Sequence, residues 1–509
     1  MAAKKLSRQD EQIIRGFCEL IRARKVLAWV VTDEEKRALW QIASAAKTTG
    51  KELRVWRSTS GIVDRKGEMF DGAVSLLDAI NFATREAGGF VYVFLDPCQF
   101  MTVHAGMRGA VAVRQLKDAS HTLPLTGSNI FVVSSDPVPP KELKDSVHIT
   151  DLPLPDSEAM ETNLVQPIIE KGLSELGEEG VPKLMDYLAG TTLQKAEDVL
   201  AGEISRHGKL TTASLAAIRA ARKDLIRGVC GLEFTDSDGD LVAVGGMTRL
   251  LKHLRSIKAA FTKDGEGRGL ELPCGIVLVG PSGTGKSLLA KWTARIFGFS
   301  LFHMDVGSLF NKYLGESEAN MRRLQRTLEA LERVVVWPDE IEKALATGSG
   351  ELDEGVALRM LENFLTWGQE RRRGKLFFVA TANDVRALRP ELIRVDRLFD
   401  AIYLVDLPSL KERKVIWEIH LSRRGRKLND SDMRLLAERS RGYTGSEING
   451  VVKSAMYKAF EADQGLKVEH LLAALEEVQP ISRIMPEKIE EVRDWARGKA
   501  LPAGDEKDD

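Results

Sequence analysis

The sequence predicts an α/β protein with two blocks of mostly parallel sheet, the second followed by an all-helical region. Two patterns predict it. Short β-branched and aromatic runs alternate with stretches of helical spacing over residues 20–156 and again over 234–407, the signature of βαβ units. Across 157–233, and from Pro408 onward, strand-like runs vanish and the apolar spacing is helical. A chain of 509 residues suits about three domains, and 43% hydrophobic residues can fill several cores.

In the first block strands are expected at 26–31, 53–56, 90–95, 129–134 and 147–149. Helices are expected over 33–47, opened by Thr32 as N-cap, and over 69–87. Residues 1–156 thus read as an N-terminal α/β domain and 157–233 as a helical connector, broken at Gly180-Val-Pro182 and Gly190. In the second block strands are expected at 275–279, 301–304, 334–337, 376–380 and 401–405, which gives a core domain over 234–407. Helices at 410–421, 431–440, 446–462 and 468–478 make a lid over 408–484. Residues 485–509 hold one more helix, 486–498, and an acidic tail. The two blocks echo each other: Phe131-Val-Val-Ser-Ser-Asp136 is like Phe378-Val-Ala-Thr-Ala-Asn383, and Thr150-Asp-Leu-Pro153 is like Val405-Asp-Leu-Pro408.

Composition narrows the function. With 73 Lys+Arg against 74 Asp+Glu the formal charge is −1, so no overall basic field holds nucleic acid or anionic lipid. The basic clusters Arg371-Arg-Arg-Gly-Lys375 and Arg423-Arg-Gly-Arg-Lys427 lack interleaved aromatics, which disfavours a nucleic-acid partner. No apolar run approaches the about 18 residues that span a bilayer, and Met1 leads into charge rather than an apolar signal core. Cys18, Cys98, Cys230 and Cys274 are widely separated, with no metal-site or disulfide spacing. A cytoplasmic protein without a membrane partner is expected.

Gly280-Pro-Ser-Gly-Thr-Gly285-Lys286-Ser287 matches GxxxxGK[ST], directly after an expected strand and before an expected helix. In that setting backbone N–H groups converge on phosphate, Lys286 reaches the β- and γ-phosphates, and the Ser287 hydroxyl can ligate Mg²⁺. Val334-Val-Val-Trp-Pro-Asp339-Glu340 supplies the complementary acids, Asp339 for the metal shell and Glu340 to polarise a water. Pro338 lacks a ladder N–H just before that pair. Asn383 closes the strand at 376–380 and can orient the lytic water, and Arg394 and Arg397 stand three positions apart as arginine-finger candidates.

From about residue 236 to 480 these features resemble a AAA+ ATPase module of the protein-remodelling clade. Val244-Gly245-Gly246 lies before the phosphate loop and Gly442-Tyr-Thr-Gly-Ser-Glu447 in the lid. The whole chain resembles, more narrowly, the AAA family named for a conserved plastid reading frame and found also in cyanobacteria and other bacteria. That likeness rests on Leu20-Ile-Arg-Ala-Arg24, Asp151-Leu-Pro-Leu-Pro155, Phe364-Leu-Thr-Trp367 and the surroundings of Trp495. The resemblance implies a P-loop NTPase (AAA+) αβα sandwich with a C-terminal helical lid; the echo between the blocks, read as a duplication, makes the first a second, degenerate RecA-like α/β domain that is non-catalytic, because nothing like GxxxxGK[ST] precedes residue 280. It implies ATP and Mg²⁺ as cofactors and a homo-oligomeric ring, usually of six. Nucleotide would be held by Val244, Gly245, Pro281, Ser282, Gly283, Thr284, Gly285, Lys286, Ser287, Leu288, Gly445 and Ser446, with Ser287 and Asp339 on the metal. Glu340, Lys286, Asn383, Arg394 and Arg397 would be catalytic. Lys312-Tyr313-Leu314 resembles a central-pore loop that grips an unfolded protein substrate. Two departures stand out: the family carries an aliphatic residue where Pro338 stands, and Arg-x-Gly-Arg-Phe-Asp where this chain has Asp396 for Gly and an added Leu398. The activity expected is ATP hydrolysis that remodels or threads a protein. The alternatives are an ATP-binding scaffold with little turnover and a nucleic-acid-associated remodeller.

Overall fold

The computed structural model describes residues 6–504, except 24, 65–66, 71–72, 87, 102–105, 136–138, 178, 227–230, 236–241, 307–313, 332, 344–362, 365, 369–375, 387 and 389–397. The chain divides into two compact units, Met1–Leu225 and Ile226–Asp509.

The first unit runs α1 (Arg8–Arg22), β1 (Leu27–Val31), α2 (Glu35–Thr48), β2 (Leu53–Arg57), β3 (Gly61–Val63), α3 (Leu76–Arg85), β4 (Val91–Leu95), α4 (Gly106–Thr126), β5 (Asn129–Ser134) and β6 (His148–Asp151). Its sheet has the order β3-β2-β4-β5-β1-β6, parallel except for the β2–β3 pairing. Every residue of β1, β4 and β5 is buried, as in a sheet covered on both faces. Alternate residues go to opposite sides: Leu27, Trp29 and Val31 join Trp56, Tyr92 and Phe94 in one core, whereas Ala28 and Val30 join Phe17, Ile42 and Phe131 in the other. Helices α5 (Ser157–Met160), α6 (Gln166–Glu170), α7 (Gly180–Leu188), α8 (Leu193–His207) and α9 (Thr212–Ile226) follow, around a core that includes Met160, Leu184, Leu200 and Ile218.

Two expectations in this unit are corrected. Thr32 does not cap a helix: its hydroxyl accepts the Glu34 N–H at 2.9 Å, closing a turn, and α2 starts at Glu35. The helix expected from residue 69 starts at Leu76, where the Ser75 hydroxyl accepts the Asp78 N–H, and Met69 instead forms an antiparallel bridge to Val63.

Past β1, Arg37 of α2 is 5% exposed and fully engaged. Its guanidinium donates to Asp10 at 3.2 Å, Glu34 at 3.0 Å, Gln9 at 2.7 Å and the Pro153 carbonyl at 2.8 Å. Removing one partner of a buried ion network leaves the others desolvated and uncompensated. Arg37→Ala should therefore destabilise the first unit by about 3–5 kcal/mol, read as a fall in the denaturation midpoint of the full chain; no change would show that the network is solvated.

The second unit runs β7 (Leu232–Thr235), α10 (Thr248–Ile257), α11 (Lys263–Gly267), β8 (Gly275–Val279), α12 (Lys286–Phe297), β9 (Ser300–Asp305), α13 (Leu314–Ala330), β10 (Val334–Asp339), β11 (Leu376–Ala382) and β12 (Ala401–Leu404). A helical lid follows: α14 (Leu410–Ser422), α15 (Asp430–Arg439), α16 (Gly445–Glu461), α17 (Val468–Glu477), α18 (Ile481–Ile484) and α19 (Pro486–Ala496). Last comes β13 (Leu501–Pro502). The sheet order is β13-β12-β8-β11-β10-β9-β7, parallel except for β7. Lid helices α14 and α16 each open on a capping box, Ser409 with Glu412 and Thr444 with Glu447. Numbered in chain order, β8 to β12 lie as 5-1-4-3-2, and so do β1, β2, β4, β5 and β6 of the first unit once the β3 hairpin strand is set aside.

Candidate functional site

In a doubly wound sheet ligands bind beyond the carboxyl ends of the strands, where the winding reverses. Here that point is the end of β8, which lies between β11 and β12 with Val279 in register with both Ala382 and Leu404. The chain leaves β8 through residues 280–285 and enters α12 at Lys286. Gly283 has φ +81°, and a Cβ there would stand 2.2 Å from Ser446 Oγ at the start of α16, so only glycine allows the loop this close to the lid. The approach is fixed by a 3.2 Å bond from the Ser446 N–H to the Gly283 carbonyl.

Lys286 is buried, and its ammonium donates to the Gly280 and Pro281 carbonyls at 2.7 and 2.8 Å. Burial pushes its pKa down to about 8, against the opposing pull of Glu342, Asp339 and Glu340. The acids come from β10 and the turn after it. Burial opposes ionisation of Asp339, but His303, whose Nε2 lies 3.7 Å from the carboxylate, and the hydrogen bond from Thr381 outweigh it and hold the carboxyl below its ordinary range. Glu340 sits in the left-handed region at φ +50°, a conformation uncommon for a side chain of this size. Its N–H donates to Thr381 Oγ1 at 3.1 Å, its carboxylate accepts from Asn383 Nδ2 at 2.8 Å, and Lys343 pairs with it from the next turn. Pro338 is accommodated because the β10–β11 register ends at Val336, although pairing with β9 continues through Asp339.

These groups face one cavity of about 650 Å³, within the usual range for a small-molecule site. Its walls include Ser282 to Leu288, Asp339, Glu340 and Asn383, together with Val244, Gly245, Gly445 and Ser446. Pro281 lies in the loop but not in the wall; its carbonyl accepts from Thr284 and Lys286. Arg394, Arg397, Lys312 and Tyr313 lie outside the described residues, and Leu314 is the first residue of α13.

Sequence reasoning missed part of the wall. Ile416, Ile419 and His420 of α14 line the cavity, as do Asn449 of α16 and Pro502 to Gly504. The first three were legible as one helix face at i, i+3, i+4 behind the Ser409-x-x-Glu412 start signal. Burial, followed by the charges of Arg424 and Arg423, pushes the His420 imidazole down to about 4.

A parallel sheet whose β8–α12 loop carries this motif, with a helical lid closing over it, defines a P-loop ATPase domain. Residues 276–406 match the ATPase family associated with various cellular activities (AAA), and residues 13–152 match the SpoVK-like AAA ATPase N-terminal domain. The chain belongs to the family of ycf46 AAA domain-containing proteins: it is 30% identical over 487 residues to the uncharacterized AAA domain-containing protein ycf46 of Guillardia theta, across 95% of this chain and 94% of the relative. Other relatives match less than half of the chain. The cell division cycle protein 48 homolog of Archaeoglobus fulgidus is 33% identical over 227 residues, 41% of this chain and 30% of the relative. The ATP-dependent zinc metalloprotease FtsH of Pseudothermotoga lettingae is 30% identical over 245 residues, 46% and 38%. Among the described residues no helix is long and apolar enough to cross a membrane.

The depressed His420 value carries a sign. Its folded pKa of about 4 lies below the ordinary 6.5, so between these values the unfolded chain binds a proton that the fold refuses, and stability falls as pH drops through that window. The melting temperature of wild type should therefore fall between pH 7 and pH 5 by more than that of His420→Gln; equal falls would show that the imidazole is free to protonate in the fold.

Proposed function

We propose that the chain hydrolyses ATP with Mg²⁺ at this cavity, within a homo-oligomeric ring of six, and that turnover remodels or threads a protein partner. The observation that carries the reading is the hydrogen-bonded set Asp339–Thr381 and Glu340–Asn383, held across the same cavity as the phosphate loop. The main-chain amides of 282–287 and the N-terminus of α12 present partial positive charge to phosphate. The donors offered to a metal, the Ser287 hydroxyl and an ionised Asp339 carboxylate, are hard oxygens that suit Mg²⁺. Bound there, the ion would offset phosphate negative charge.

Each side chain then has a part. Lys286 exchanges its two loop carbonyls for phosphate oxygens, Glu340 accepts a proton from the attacking water, and Asn383 orients both. Arg394 or Arg397 from a neighbouring copy offsets charge developing on the γ-phosphate. Core and lid both wall the cavity, so nucleotide state is coupled to lid position. Lys312, Tyr313 and Leu314 grip the partner in the ring's pore. The first unit, without a phosphate loop, is non-catalytic and selects the partner. A scaffold that binds ATP with little turnover is the second reading, favoured by the Lys343 ion pair that occupies Glu340.

Wild type, Lys286→Ala and Glu340→Gln separate the readings. Wild type should release phosphate. Lys286→Ala should lose ATP binding. Glu340→Gln should bind ATP while its turnover falls about 100- to 10,000-fold, the usual contribution of a positioned base. Tight binding with negligible turnover in wild type would favour the scaffold, and equal phosphate release by all three proteins would refute ATP hydrolysis at this site.

A further inference from the structure

We propose that residues 501–504 form a strap that is itself a wall of the nucleotide cavity, at the end that receives the base, and that seating of the strap and nucleotide binding favour one another. This deepens the nucleotide reading above and rests on it.

The strap is held on three sides. Arg493 of α19 grips Asp406, its Nε within 3.2 and 3.0 Å of the two carboxylate oxygens and an Nη within 3.1 Å of one of them. Asp406 belongs to the segment that links β12 to the lid. Beyond α19, β13 pairs in parallel with that same β12, Leu501 with Tyr403 and Pro502 with Leu404. Ala503 is 1% exposed; its N–H donates to the Leu404 carbonyl at 3.0 Å and its carbonyl accepts the Leu250 N–H at 3.1 Å, tying the sheet edge to α10. At Gly504 a Cβ would stand 2.7 Å from Glu412 Oε1, the atom that accepts the Met247 N–H at 3.1 Å. Strap, α14 and the turn after Gly245 therefore converge.

Pro502, Ala503 and Gly504 line the cavity together with Val242, Ile416 and His420. This wall is mostly main chain and apolar side chain, with the His420 imidazole and the Glu412 carboxylate beside it. It offers no cation to phosphate, which Lys286 and the loop amides serve. Its chemistry fits a flat heterocycle. A two-residue strand at a sheet edge has little stability of its own, so filling the cavity beside it adds contact that the seated strap has and the released strap lacks. By linkage the strap then raises nucleotide affinity by the same factor.

Two measurements test this, one on the full chain with ADP and one on shortened chains with mant-ADP. Hydrogen exchange in residues 499–504 should slow about tenfold when ADP saturates the protein, because the Ala503 amide opens only when the strap leaves. A chain stopped after Ala500 should bind mant-ADP about tenfold more weakly, whereas one stopped after Gly504 should match wild type within about twofold. Exchange that ignores ADP, with unchanged affinity after loss of 501–509, overturns the proposal. A distinct result, wild type and Lys286→Ala binding mant-ADP alike, would remove the nucleotide reading itself and the strap's role with it.

Discussion

The contact between the phosphate loop and the backbone on either side of it sets the geometry of everything else at the site. A Cβ at Gly280 would stand 2.1 Å from the Val405 carbonyl oxygen, and one at Gly283 would stand 2.2 Å from Ser446 Oγ. The loop is thus pressed between the exit of β12 and the first turn of the lid helix α16, where the Val405 carbonyl at Gly280 and the positive φ of Gly283 favour glycine. Because Val405 and Asp406 lead directly into the lid, a ligand that shifts the loop acts on both ends of the core–lid connection. Coupling between nucleotide and lid needs no long pathway here; the parts are in van der Waals contact.

Thr381 plays the matching part for the acids. Its hydroxyl donates to Asp339 and accepts from the Glu340 N–H, so one side chain on β11 holds the carboxylate that ends β10 and the main chain of the acid that follows it. Its carbonyl accepts the Ile341 N–H at 3.0 Å and so holds the left-handed turn at Glu340. Strain of this kind persists where surrounding bonds over-determine it. The turn aims the Glu340 carboxylate at Asn383 rather than along the strand, the placement that its proposed role as a base requires.

Much of this was legible in the sequence, and the gaps have physical causes. The strands of 275–279 and 376–382 announced themselves because both faces of a central parallel strand are buried and the run is apolar throughout. The lid helices declared their starts through Ser409, Asn429 and Thr444, whose side chains cap the first turn. β7, β3 and β13 were missed because edge strands this short carry no periodicity, and their pairing is set by partners distant in sequence. Thr32 misled because a hydroxyl that closes a turn and one that caps a helix look alike in sequence; the structure separates them by where Glu34 goes, toward Arg37. Pro338 argued against a central strand, yet β10 keeps its register with β9 because its pairing with β11 has already ended. The wall at 502–504 was invisible for a different reason: a main-chain surface leaves no mark on side-chain choice.

The first unit shows what the same winding does without the loop. Its strands follow the 5-1-4-3-2 order of the second, and β4, like β10, is followed at once by an acidic residue in the left-handed region, Asp96 at φ +46° beside Glu340 at φ +50°. Such a conformation costs of order 1 kcal/mol or more in a residue other than glycine, so its presence past both strands points to a shared backbone path rather than chance. The difference lies past the first strand of each sheet. After β8 the chain passes through Gly280, Gly283 and Gly285, all at positive φ, and the loop lines the cavity. After β1 a Thr32–Glu34 turn leads straight into α2, and the buried cation of that helix, Arg37, is sealed by Asp10 and Glu34 instead of facing a cavity. A cation already neutralised by two buried carboxylates has no attraction left for phosphate. The two units thus share a strand order and a left-handed acidic turn, and differ in the loop past the first strand, which supports placing the proposed nucleotide site in the second unit.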